Sequence, residues 1–338
     1  MSNNIAANPG AIARVRLDLV PLALPLGIAL VAWLMIGSTT TWLTLTLAAL
    51  AMGMMVFVVA SGLTLVFGLM DVINFGHGAF IAIGAYLAMS VLGPLSSWVQ
   101  PDDLTLNLAA LLLAAFVAMI GTGALGLVFE RLIIRPVYGQ HLKQILITMG
   151  GLIVAEQLLH AFFGADQKSM ALPGGLRGAV VLGDLALEKY RLLAVTVGLV
   201  VFIAMQVTLN RTRIGLLIRA GVENAEMVEA LGYRIRRLFV GVFVAGSALA
   251  GLGGMLWALY RETFTAAIGG DLMVLVFIVI IIGGLGSVGG CFLGAILVAM
   301  MANYTAFLAP KVALGSSILL MVAILMWRPQ GLYPVAKR

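Results

Sequence analysis

Apolar runs without a formal charge recur along the chain at 20–37, 42–70, 72–101, 104–129, 192–210, 238–260, 272–310 and 312–327, separated by short polar or basic stretches. A further run, 144–165, is apolar apart from a few polar positions, chiefly Glu156 and His160. Each supplies most of the roughly 20 residues that a membrane-crossing helix needs. The run 272–310 would measure about 58 Å as one helix, nearly twice the hydrocarbon thickness, so it must fold back on itself. Gly283, Gly284, Gly286, Gly289 and Gly290 mark that break. The pattern predicts an all-α integral membrane protein of about ten transmembrane helices, some interrupted by glycine, at 20–37, 42–66, 76–93, 108–129, 145–163, 192–209, 238–260, 272–285, 290–309 and 312–327. All of 1–338 is one transmembrane domain in this reading.

Composition agrees with the pattern. Hydrophobic residues make up 62% and charged residues 10% of 338, with a mean hydropathy of +1.12, far outside the range of soluble domains. The net charge of +6 is first a statement about loop orientation, and no nucleic-acid partner is read from it. With the N-terminus inside, 14 basic residues fall on the cytoplasmic side: Arg14, Arg16, three in 130–143, six in 210–237, and Arg328, Lys337 and Arg338. The outward loops hold the other six, Lys168, Arg177, Lys189, Arg191, Arg261 and Lys311. This bias predicts both termini inside, with 1–19 a cytoplasmic tail and 210–237 a cytoplasmic loop. The stretch 12–37 reads as a retained first helix, because no small-residue cleavage site follows it.

Polar residues interrupt the apolar pattern at a few places. Within 61–86, Gly68, Asp71, Asn74, Gly76, His77 and Gly78 crowd into one short segment. Such a segment is either a helix break beside a translocation path, with Asn74 and His77 offering hydrogen bonds, or a cytoplasmic turn whose polar residues cap helices. Gly286, Gly290 and Gly294 repeat at small-xxx-small spacing, which close helix packing explains. Glu156, Gln157 and His160 share a helical face, and the favoured reading is structural hydrogen bonding.

The loop NRTRIGLLIRAGVENAEMVEALGYRIRR at 210–237 predicts one short amphipathic helix over 216–232. Leu217, Ala220, Asn224, Met227 and Leu231 fall on one side, Glu223, Glu226 and Glu229 on another, and Gly232 stands where a glycine would end the helix. An acidic face is repelled by anionic lipid, so a protein partner is the better docking surface. There is no GxxxxGK[ST] phosphate loop, HExxH pair or GxSxG elbow, three scattered histidines form no metal site, and Cys291 is alone. No catalytic residue, metal or cofactor is assigned.

Several motifs in order carry a resemblance: SGLTLVFGLMDVINFGHGAF at 61–80, ERLIIRPVYG at 130–139, ITMGGLIVAEQLL at 147–159, NRTRIGLLIRAGVENAEMVEALGY at 210–233, IIGGLGSVGGCFLGAIL, and the closing WRPQGL. The sequence resembles the permease subunits of bacterial branched-chain amino acid ABC importers, the H-type half more than the longer M-type half. It departs from the H-type NFAHG at Gly76, where GHG is the M-type form. The resemblance implies the ABC importer permease fold in the bacterial inner membrane, a second similar permease as partner (a heterodimer before a homodimer), two cytoplasmic ATP-binding subunits and a periplasmic solute-binding protein. ATP hydrolysis then belongs to the partners, and 210–237 is the ATPase-coupling loop, with Arg219, Ala220, Gly221, Glu223, Asn224, Glu226, Met227, Glu229 and Gly232 as its contacts. The pathway candidates are Asn74, Gly76, His77 and Gly78. Related importers carry urea, short amides or aromatic acids, and a secondary transporter using Glu156 is the alternative from another class.

Overall fold

Lipid offers a peptide group no hydrogen-bond partner, so an apolar run is stable in a membrane only as a helix that satisfies its own backbone. The computed structural model, which describes residues 20–183 and 185–333, follows that rule closely. Its helices are α1 (Val20–Ile36), α2 (Thr39–Met70), α3 (His77–Leu92), the single turn α4 (Ser96–Val99), α5 (Leu104–Phe129), α6 (His141–Phe163), α7 (Lys189–Arg211), α8 (Arg213–Glu223), α9 (Ala225–Ala230), α10 (Ile235–Arg261), α11 (Ile268–Gly283), α12 (Val288–Leu308) and α13 (Ala313–Trp327). Every expected span has its helix. Seven helical segments are long and apolar enough to cross a membrane, whereas α1, α3 and α11 are shorter, at 17, 16 and 16 residues. The expected tail 1–19, with Arg14 and Arg16, and the C-terminal Lys337 and Arg338 lie outside the described residues.

Helix α10 is the axis on which α2, α3 and α5 pack, and glycine is what lets them approach. A methyl group on Gly84 of α3 would lie 2.3 Å from the Cα of Gly251, and one on Gly62 of α2 would lie 2.3 Å from the Gly246 carbonyl oxygen. Within lipid, apolar burial does little to drive helices together, so close van der Waals packing of this kind carries the association. Phe80, Phe129 and Phe243 fill the space beside these crossings, with ring centroids 5.4 to 6.3 Å apart. A smaller cluster of Ala32, Ala49, Met54, Ile296, Met300 and Tyr304 joins α1 to α2 and α12. There the Thr46 and Tyr304 hydroxyls lie 2.7 Å apart, and the Trp42 indole N–H donates to the Ala29 carbonyl at 2.8 Å.

The two ends of the bundle differ in charge. Arg131, Arg135, Arg234, Arg236 and Arg237 crowd one end, the basic side, together with α8 and α9. At the other end, two small antiparallel ribbons close the loops: β1 (Lys168–Ser169) with β4 (Thr263–Phe264), and β2 (Ala179–Leu182) with β3 (Leu185–Glu188). Asn107 ties that end together. Its buried amide donates to the Trp98 and Pro101 carbonyls and accepts from the Gly175 N–H at 2.6 Å.

Candidate functional site

Two places in this framework depart from plain helix packing. The first is the connection between α2 and α3. The His77 ring Nε2–H donates to the Val59 carbonyl at 3.0 Å, and Val59 lies eleven residues before the end of α2, about 17 Å back along that helix. Three approaches trace the path between. Gly68 abuts Gly286, the Phe75 and Phe277 rings sit 4.7 Å apart, and Gly78 abuts Gly269, so the chain from 68 to 78 travels beside α11 in reverse. Residues 71–76 are therefore a non-helical stretch that re-enters the bundle, and α3 begins inside it.

A re-entrant stretch needs partners for its backbone, and α6 provides them. His141, Gln144 and Thr148 are spaced to share one face of that helix. His141 Nε2 lies 3.8 Å from the Asp71 carboxylate, Gln144 Oε1 accepts from the Ile73 N–H at 3.3 Å, and Thr148 Oγ1 accepts from the Phe75 N–H at 3.1 Å. Alternate residues of an extended chain are matched to successive turns of a helix, two residues against three or four. Gln144 and Thr148 are both fully buried, and each also donates: Gln144 to the Val137 carbonyl at 3.1 Å, Thr148 to the Gln144 carbonyl at 2.6 Å. Neither was singled out from the sequence. The signal was available as polar residues at i, i+3 and i+7 in an apolar helix, facing a glycine-rich segment that could not satisfy itself.

The four pathway candidates are brought together here, and all are buried. Gly76 makes room for Phe129, since a methyl group there would lie 2.5 Å from its ring, and Gly78 makes room for the Gly269 carbonyl. His77 pins α3 to α2. Asn74 differs: it is 1% exposed, and among the described residues neither its side-chain oxygen nor its nitrogen has a hydrogen-bond partner. An unpaired buried amide costs roughly 1–3 kcal/mol, so this conformation leaves polar capacity unused at the centre of the break.

The second break, 284–287, is built differently. The α11 and α12 backbones meet at Gly283 and Gly290, and a methyl on Gly294 would lie 2.6 Å from the Val279 carbonyl oxygen. Here the Gly286, Gly290 and Gly294 repeat serves close packing. The terminal carbonyls of α11 at Ile282 and Gly283 accept from the Leu332 and Tyr333 N–H groups at 2.9 and 3.0 Å, and Ser287 Oγ caps α12 by accepting from the Gly290 N–H at 3.1 Å.

On the basic side, the segment after α7 forms two helices where one was expected. Asn224 is the reason: its backbone is extended, and its side-chain oxygen accepts from the Met227 N–H at 2.9 Å, capping α9 and ending α8. Thr212 caps α8 in the same way, accepting from the Gly215 N–H. Helix α9 closes on Gly232, with φ +88°, whose N–H bonds the Glu229 carbonyl while the Tyr233 N–H bonds that of Val228. Other residues seat the pair on the protein. Ile218, Gly221 and Val228 are buried, and a methyl on Gly221 would lie 2.6 Å from Ile235 Cδ1 at the start of α10. Leu217 and Ala220 are half-buried, whereas Met227 and Leu231 are 62% and 72% exposed. With exposed Val222 and Tyr233 they form an apolar surface among Arg219, Glu223, Glu226 and Glu229, all of which face outward.

Glu156 and His160 pair at 3.9 Å along α6, while Gln157 is exposed. Among the described residues, no group of three or more His, Cys, Asp or Glu side chains is placed to hold a metal ion.

Known proteins share this layout of sequence. The chain is 29% identical to the high-affinity branched-chain amino acid transport system permease protein BraD of Pseudomonas aeruginosa, over 84% of this chain and 92% of that protein. It is 27% identical to the corresponding permease protein LivH of Escherichia coli, over 81% of this chain and 89% of LivH. The LivM permease of the same organism is also 27% identical, over 98% of this chain and 78% of LivM. Residues 45–326, which take in both helix breaks and the α8–α9 pair, match the family described as branched-chain amino acid transport system / permease component, and the chain belongs to that family.

Proposed function

We propose that this chain is the transmembrane permease subunit of a binding-protein-dependent ABC importer carrying branched-chain amino acids across the bacterial inner membrane, with both termini and the basic side cytoplasmic. The substrate follows from the names of BraD and LivH, and a partner permease from similarity to LivH and LivM alike. A second permease, two cytoplasmic ATPases and a periplasmic binding protein complete the assembly, and ATP hydrolysis belongs to the ATPases. The observation that carries this reading is the α8–α9 pair: two capped helices, seated through Gly221 on α10 and turning an acidic and apolar surface away from the bundle. Arg219, Ala220, Gly221, Glu223, Asn224, Glu226, Met227, Glu229 and Gly232 form or hold that surface.

In this mechanism the ATPases move α8 and α9 as one body, and α10 passes the displacement to the α2 and α3 crossings. The stretch 71–78 is the gate. Its Ile73 and Phe75 N–H groups are held by α6, and release of those bonds would let Asn74 meet water or solute beside Gly76, His77 and Gly78. Gly221→Glu tests the coupling. The new side chain would collide with Ile235 and lift α8 from its seat, so the variant should insert normally yet lose solute-stimulated ATP hydrolysis in the reconstituted complex. Wild-type stimulation would overturn the assignment.

A further inference from the structure

Where α5 ends and α10 begins, a cavity of about 250 Å³ opens on the basic side, lined by Glu130, Arg131, Arg135, Arg236, Arg237 and Val240. A second hollow, sharing Arg236 and Arg237, continues it past Arg234 and Tyr233 to the end of α9 at Glu229. Four arginines thus line the first cavity against one carboxylate. None of the four forms an ion pair within 4.0 Å or a side-chain hydrogen bond among the described residues, and Glu130 is itself buried and accepts from the Tyr138 hydroxyl at 3.2 Å. Burial, and Glu130 beside it, push the Tyr138 phenol well above its usual range, so it remains a donor to that carboxylate. The backbone is special here as well. Residues Glu130–Ile134 form a π-helical turn, a rare geometry that tends to accompany functional sites.

Like charges gathered in this way repel one another unless an anion with several oxygens bridges them, and the guanidinium fork matches phosphate geometry. Depth decides which anion. Glu130, Arg131 and Arg135 lie in the last third of the apolar segment Leu104–Val137, which at 34 residues is longer than a crossing needs, and Arg236, Arg237 and Val240 lie at the start of the segment Ile235–Arg261, so the cavity sits where two membrane-crossing segments reach the basic end of the bundle, a position suited to a lipid headgroup. Val128 and Leu132, 51% and 70% exposed, flank Arg131 on the same helical segment and offer an apolar surface for acyl chains. We infer that this cavity binds the phosphodiester headgroup of an anionic phospholipid, which by reaching toward Arg234 also braces the end of α9. Only the membrane-spanning fold is needed for this assignment, so it stands or falls apart from the import reading.

The test uses the full-length chain and native mass spectrometry, with phosphatidylglycerol and phosphatidylcholine of identical acyl chains as probes. The wild type should retain phosphatidylglycerol about tenfold better, and Arg131→Gln combined with Arg237→Gln should bring that preference close to one. Replacing the same two residues with lysine should restore part of it, since charge returns without the fork. Inorganic phosphate at millimolar concentration should leave the lipid in place. Equal retention of the two lipids by the wild type, or an unchanged preference in the glutamine variant, would overturn the site. Displacement by phosphate would also overturn it in favour of a free-anion site. Loss of ATPase co-purification by the glutamine variant with lipid preference intact would overturn it in favour of a protein contact.

Discussion

The two helix breaks are neighbours, with Gly68 in the last turn of α2, just before the first, packed on Gly286 in the second, yet they are held in opposite ways. At 284–287, backbone meets backbone: Gly283 packs on Gly290, and the carbonyls ending α11 are satisfied by the peptide groups of 332 and 333. At 71–76, the backbone leans on two side chains of a neighbouring helix, Gln144 and Thr148, and leaves Asn74 unpaired. A junction made of interlocked main chain has no alternative arrangement at low cost. One made of side-chain hydrogen bonds beside an unused amide has several. On the proposed mechanism, the 284–287 break belongs to the frame and the 71–76 break to the moving part.

The largest expected effect comes from filling the frame. A methyl group on Gly290 would already lie 2.0 Å from the Gly283 carbonyl oxygen, so Gly290→Leu should prevent recovery of folded, monodisperse protein, read by size-exclusion chromatography in detergent. Normal recovery would show that the α11–α12 junction yields and that the contrast between the breaks is false. A smaller change is expected at the other break. Gln144→Leu strips the Ile73 N–H of its acceptor and should cost about 1–3 kcal/mol of stability, seen as a lowered melting temperature with the protein still folded.

The spans were legible in the sequence, because lipid enforces a simple rule on backbone and side chains alike. The positions of both glycine-rich breaks could be read for the same reason. What could not be read was the depth of 71–76, since it depends on which face of α6 meets it, and a helix of 23 residues offers several faces. Polar Gln144 and Thr148 near the start of a span look like ordinary boundary residues until their partners are known. On the basic side, the periodicity of 217–231 suits one helix, but Asn224 caps better than it continues, and that competition split the segment. The acids were placed on the outward side by pattern alone. Burial of Ile218, Gly221 and Val228 required knowing where α10 begins.

Asn74→Leu should produce the smallest shift in stability and the sharpest split between stability and transport. Removing an unpaired buried amide leaves the melting temperature unchanged or slightly raised, because no hydrogen bond is lost. Uptake in reconstituted vesicles should nevertheless fall, since the open gate would lack its polar group. Undiminished uptake would move Asn74 from the pathway to the packing.

The most direct measurement is amide hydrogen exchange on the assembled transporter, at rest and during ATP turnover, followed at both breaks. The account predicts that the amides of Ile73 and Phe75, bonded at rest to Gln144 and Thr148, exchange faster during turnover, while those of Leu332 and Tyr333 on the α11 terminus stay protected. Equal protection of all four amides in both conditions, or loss of protection at Leu332 and Tyr333 alone, would contradict it.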